Sequence, residues 1–157
     1  TATSIFNSII TCFPTGIRLD GRDAYDNYAA GIGVLANNLI IALGNASSTK
    51  GLAGANSVTD QEVKDYYNPL NPAGIVVLKS TDFAALGIDK NLYFGKNTAY
   101  PSNPEFSVTT GVISSGASFS NAKFSGGFFQ NVAFHGAFGA TDWTNTWTNF
   151  EPKSAAY

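Results

Sequence analysis

Between positions 116 and 138 phenylalanine recurs every fifth residue, at Phe119, Phe124, Phe129 and Phe134. A small or compact residue stands two places before each, at Ala117, Ala122, Gly127 and Val132; the next pentad keeps Ala137 but brings its ring one place early, at Phe138. Neither the 3.6-residue period of a helix nor the two-residue period of a strand gives this pattern. A square β-solenoid does, if each pentad forms one side of a coil and turns its large residue inward. On that reading Phe119, Phe124, Phe129 and Phe134 form a buried ladder, each costing about 3–5 kcal/mol if cut to Ala. Ala117, Ala122 and Gly127 are expected inside as well.

A longer repeat lies near the start. Residues 5–10 (Ile-Phe-Asn-Ser-Ile-Ile) align with residues 35–40 (Leu-Ala-Asn-Asn-Leu-Ile), an apolar pair, a polar pair led by Asn, then a second apolar pair. Repeats of this length mark stacked units. Asn tolerates the left-handed backbone that a sharp corner demands. Asn7 and Asn37 should therefore sit at one corner of successive coils, with Cα atoms about 5 Å apart, the spacing of paired strands. A corner Asn can also bond to its neighbour one coil away. Residues 15–20 alternate as a strand and end in a turn at Gly21.

From 46 to 72 the pattern breaks. Residues 47–56 read as a Ser/Gly/Ala-rich loop, and Thr59-Asp60-Gln61-Glu62 fits a capping box that opens a helix to about Tyr67, closed by Asn68-Pro69. Residues 74–79 read as a strand buried on both faces. Residues 82–86 suggest a helical turn, 92–94 an aromatic run and 101–104 a loop leading to the pentads.

Composition narrows the classes. Only 13% of the 157 residues are charged and the net charge is −2, which argues against nucleic acid or an anionic membrane as partner. No apolar run reaches the length of a membrane span. The chain has no Met and no signal peptide, and is expected to be a processed or excised piece of something longer. A single cysteine, Cys12, excludes an internal disulfide and reads as a small buried residue.

Three constellations could carry chemistry. Asp20, Asp23 and Asp26 could offer oxygens to calcium, the one cofactor the chain suggests, but Arg18 and Arg22 compete for them and the spacing misses the usual calcium loop. An ion-paired turn is the plainer reading. His135, the only histidine, lacks His, Cys or acid partners close by and reads as a corner or surface residue. Trp143 and Trp147, with Phe150 and Tyr157, form a dense aromatic group. Such rings cap a solenoid end or stack on sugars, with Asn and Thr beside them for hydroxyls.

The runs Gly116-Ala117-Ser118-Phe119, Phe128-Phe129, 136–144 (Gly-Ala-Phe-Gly-Ala-Thr-Asp-Trp-Thr) and Trp147-Thr148-Asn149-Phe150 resemble the C-terminal end of a family of secreted right-handed parallel β-helix proteins of Bacteroidota. The likeness is specific over 110–157 and looser before it. It implies export to the cell surface and a longer parent protein, and carries over no catalytic residues. The expected fold is all-β: a right-handed parallel β-helix (solenoid) fragment with a pentapeptide-like final coil, one short inserted helix and an aromatic C-terminal cap. Its parts are coils over 1–45, a loop and helix insertion over 46–73, a strand and loops packed on the solenoid over 74–110, the pentapeptide-like coil over 111–140 and the capping tail over 141–157. The expected role is non-catalytic: a scaffold, adhesin or glycan-contacting module, secreted or on the outer cell surface, with Trp143 and Trp147 as the glycan contacts. Alternatives are the C-terminal part of a polysaccharide-degrading enzyme (lyase or glycoside hydrolase) and a subunit of a surface assembly. Residues 3–10 read as a core strand whose outer edge needs a partner, either upstream coils of the same protein or another subunit.

Overall fold

The computed structural model describes residues 2–11, 13, 15–43, 51–72, 74–78, 87, 104–145 and 147–149. Three short strands, β1 (Ile5–Phe6), β2 (Ile9–Thr11) and β3 (Ile17–Asp20), precede helix α1 (Arg22–Ala29). Strands β4 (Leu35–Ala36), β5 (Leu39–Leu43) and β6 (Leu52–Ala55) lead to helix α2 (Asp60–Leu70) and strand β7 (Ile75–Leu78). Every pairing is parallel: β1 with β4, β2 with β5, β5 with β7, and β3 with β6. Ile5 faces Leu35 and Ile9 faces Leu39, the register of the thirty-residue repeat. Each helix follows the third strand of its course.

Asn7 and Asn37 lie between these paired strands, at φ 50° and 53°. A left-handed backbone strains most side chains but not Asn, so each residue turns the chain sharply from one strand to the next. The Asn7 amide N–H donates to the Ala36 carbonyl at 3.3 Å, which places the two corners in adjacent courses.

The ladder runs through the next residue. Asn38 Oδ1 accepts from the Ser8 amide at 3.0 Å while its Nδ2 donates to the Ile5 carbonyl at 2.9 Å. Asn71 repeats the arrangement one course on: Oδ1 accepts from the Asn38 amide at 2.7 Å and Nδ2 donates to the Leu35 carbonyl at 2.8 Å. Each Asn thus closes the corner of the course before it, and both are fully buried. A buried amide with its hydrogen bonds satisfied fixes register where an apolar residue could slide.

The main core gathers Ile17, Leu19, Leu35, Ile40, Leu52, Val58, Val63 and Tyr67, with Ile5, Ile10 and tyrosines of both helices packed on it. Helix α2 starts at the expected cap: the Thr59 hydroxyl accepts from the Glu62 amide, and the Glu62 carboxylate accepts from the Thr59 amide. It runs to Leu70 rather than Tyr67, taking Pro69 into its last turn. Residues 52–55 are strand β6, not loop. Gly54 lets the turn into α2 lie against the strand, since a Cβ there would strike the Val58 and Thr59 carbonyls.

Strands β2, β5 and β7 are covered on their second face too. Leu39 and Ile41, flanked by Ile9 and Val76, pack against Val108 and Ile113 of the later chain. There the structure departs from the pentad expectation. Among the described residues 104–145 the regular element is one 3-10 turn, Ala122–Phe124. Phe119, Phe124 and Phe134 are half-buried, whereas Phe129 is 47% exposed and Ala122 and Gly127 are exposed. The rings still follow one another, Phe119 on Phe124 at 4.9 Å and Phe124 on Phe129 at 5.0 Å between centroids. The cluster is seated on Phe6, 4.7 Å from Phe124, with Phe129 at its exposed end. Expectations for Cys12, for 82–86, 92–94 and 101–103, and for Phe150 and Tyr157 lie outside the described residues.

Candidate functional site

Two features share the segment that crosses the second face of the sheet: a stack of four rings and a cavity at its inner end.

Phe106 stacks on Phe138 (centroids 5.0 Å, planes 21° apart), Phe138 on Trp143 (5.1 Å, 4°) and Trp143 on Trp147 (5.9 Å, 23°). Both indoles are held by their N–H groups. Trp143 Nε1 donates to the Ala137 carbonyl at 3.1 Å and Trp147 Nε1 to the Trp143 carbonyl at 2.6 Å. Asp142 ties the stack together, because its carboxylate accepts from the Phe106 amide at 3.2 Å and from the Thr144 amide at 2.9 Å and hydroxyl. Those bonds, the Thr144 hydroxyl's first, hold the carboxyl below its usual range. Trp143 is 52% exposed with Phe138 and Trp147 both stacked on it; Trp147 is 69% exposed, and among the described residues no ring but Trp143 stacks on it. Of the two expected contacts, Trp147 is the more exposed, and the Trp143 carbonyl holds its N–H.

At the inner end of the stack lies a cavity of about 150 Å3. Ile9, Val108, Ile113, Phe106, Phe138 and His135 line it, and exposed Glu105 and Ala137 lie at its mouth. His135 is not a surface residue: 2% of it is exposed, and its backbone is fixed by a 2.9 Å bond from its amide to the Ile113 carbonyl. Burial pushes its pKa down, partly offset by the backbone at Ser115 and Asn37. Its Nδ1 has no hydrogen-bond partner. Sequence spacing could not find this site, because Ile9, Val108 and His135 meet only through the fold.

Asp20, Asp23 and Asp26 are not drawn together. Asp20 ends β3, paired with Arg18 at 3.0 Å and accepting from the Asn56 amide group. Asp23 and Asp26 lie exposed on α1, and Arg22 reaches Asp26 at 3.9 Å but Glu62 at 2.9 Å. Among the described residues no three His, Cys, Asp or Glu side chains converge on one point, and no helix is long and apolar enough to cross a membrane.

Compared with protein-family models, curated proteins and solved structures, the chain matches none.

Proposed function

We propose that the chain is a non-catalytic module of a parallel β-solenoid protein, exported to the cell surface, and that it contacts glycans through the outer end of its ring stack. The solenoid reading is supported by parallel pairs at regular intervals and by Asn side chains that reach back one course. Export and surface location rest on the resemblance of residues 110–157 alone.

The observation that carries the contact is Trp147. Its ring is 69% exposed, and its N–H bond to the Trp143 carbonyl sets its angle before any ligand arrives. The apolar face of a pyranose covers an indole face. Affinity gel electrophoresis against a panel of neutral and acidic polysaccharides tests the reading. Retardation by at least one polymer, lost in Trp147→Ala but kept in Trp143→Phe, is the expected result. Retardation by none, or equal retardation of Trp147→Ala, would refute it.

A further inference from the structure

His135 stands where the later chain is pinned to the first strands. Its amide donates to the Ile113 carbonyl at 2.9 Å, and the Gly136 amide donates to the Asn7 carbonyl at 2.8 Å. Asn7 also grips the Ser118 backbone, its Nδ2 donating to the carbonyl at 3.0 Å and its Oδ1 accepting from the amide at 2.9 Å. The fit is close: a Cβ at Gly136 would lie 3.2 Å from Ile9 Cδ1, and one at Gly116 would lie 3.2 Å from His135 Cε1. Backbone of both parts bonds the ring, Ser115 from the covering segment and Asn37 from the strand corner.

Only 2% of His135 is exposed, and its Nδ1 is enclosed with no hydrogen-bond partner among the described residues. A neutral imidazole tolerates this, because one of its nitrogens carries no hydrogen, whereas the imidazolium carries N–H on both. Charging the ring therefore buries a cationic donor with neither acceptor nor water, and local opening relieves it. Little charge is at hand to offset the cost. β2, β5, the Asn37 corner and residues 111–118 hold no ionisable side chain. Glu105 lines the same cleft as His135, but it is exposed and its Oε1 accepts from the Ser107 amide. The Asp142 carboxylate is taken up by the Phe106 and Thr144 amides.

We propose that His135 is an acid-sensitive latch: protonation of its ring releases residues 113–118 and 135–136 from Asn7 and Ile9 while the main core stays folded. The opening is local, because Ile17, Leu35, Leu52 and Tyr67 form a separate cluster from the one under the covering segment. It does not depend on the glycan reading, since Trp147 plays no part in it. In the open form the ring regains its ordinary value of 6.5, above that of the closed form. The open form then binds more protons and gains as the pH falls. Opening should rise about tenfold for each pH unit below 6.5, until the closed form's own pKa is reached.

Amide hydrogen exchange of the full chain tests this, followed from neutral pH down to about pH 5, above the range in which the Glu62 contribution is lost. Protection factors of the Gly136 and Ser118 amides should fall about tenfold per pH unit below 6.5. Those of Ile17 and Val63, bonded to Gly51 and Thr59 in the main core, should hold. His135 is the only histidine, so its ring titration is unambiguous in proton spectra and should have a midpoint below 6.5. His135→Gln, which cannot take up the proton, should give flat profiles at Gly136 and Ser118. If that variant does not fold, the profiles of the unaltered chain decide alone. Protection at Gly136 and Ser118 that stays flat while the ring titrates overturns the latch. So does an equal fall at Ile17 and Val63, the mark of global unfolding, or the same fall in His135→Gln.

Discussion

At the residue scale, two neighbouring asparagines do opposite things, and their substitutions should separate cleanly. Asn37 holds a left-handed corner by its backbone, whereas Asn38 turns inward and closes the corner of the preceding course with two hydrogen bonds. Asn37→Gly should change stability by only a few tenths of a kcal/mol, roughly, since Gly adopts the same φ freely. Asn38→Ala leaves the Ser8 amide and the Ile5 carbonyl short of a partner, and should cost about 2–4 kcal/mol in urea unfolding. Equal costs would show that the ladder contributes nothing beyond the corner. The corner was legible in the sequence, because Asn between two apolar pairs at a thirty-residue interval predicts both the pairing and the left-handed turn. The ladder was not. Asn71 follows Asn38 by 33 positions rather than 30, and its role depends on which way the side chain faces. His135 was hidden for the same reason, its environment being built from residues far away in sequence.

At the element scale, the capping box of α2 was the most legible feature and α1 the least. Thr59 and Glu62 announce α2 by residue type alone, and the paired bonds form. Helix α1 starts at Gly21 without any side-chain cap and with φ 97°, so Asp20-Gly21-Arg22-Asp23 reads as a turn. Thr59→Ala should cost about 1 kcal/mol. The box also sets a pH window. Bonds from the Thr59 amide and hydroxyl, and then from Arg22, lower the Glu62 pKa to about 2 from 4.5. A carboxyl depressed in the folded state stabilises above its unfolded pKa, so this contribution is present above pH 4.5 and lost as the pH falls towards 2. In Glu62→Gln that part of the acid transition should vanish from a pH series of unfolding midpoints. Ring spacing along the chain does not say how deeply each ring of the pentads packs. Phe124 touches Phe6, Phe119 and Phe129, whereas Phe129 is 47% exposed. Phe124→Ala should therefore destabilise clearly more than Phe129→Ala, and equal, large losses would restore the interior ladder.

At the scale of the whole molecule, the first course decides whether the chain associates. β1 and β3 each pair on one side only, with β4 and β6, so these strand edges have no second strand partner among the described residues. Such edges invite another strand. The ladder, however, stops here: at the position of Asn38 and Asn71 the first course has Ser8, whose hydroxyl donates to its own Phe6 carbonyl at 2.9 Å. An added course, from the same protein or another subunit, would gain backbone pairing but no Asn to close its corner. Pairing through these edges should accordingly be weak and reversible, seen as a molar mass that rises with concentration in light scattering. The amides of Ile17 and Gly21 point to β6, so the Arg18 amide between them points outward, and its side chain is 57% exposed. Arg18→Pro removes that outward donor at an edge where Pro is tolerated, and should abolish association while leaving the fold intact. Ser8→Asn, which restores the reach of the ladder, should strengthen it. A chain that stays monomeric at every concentration, with Ser8→Asn no different, would mean that these edges do not mediate association of the chain with itself.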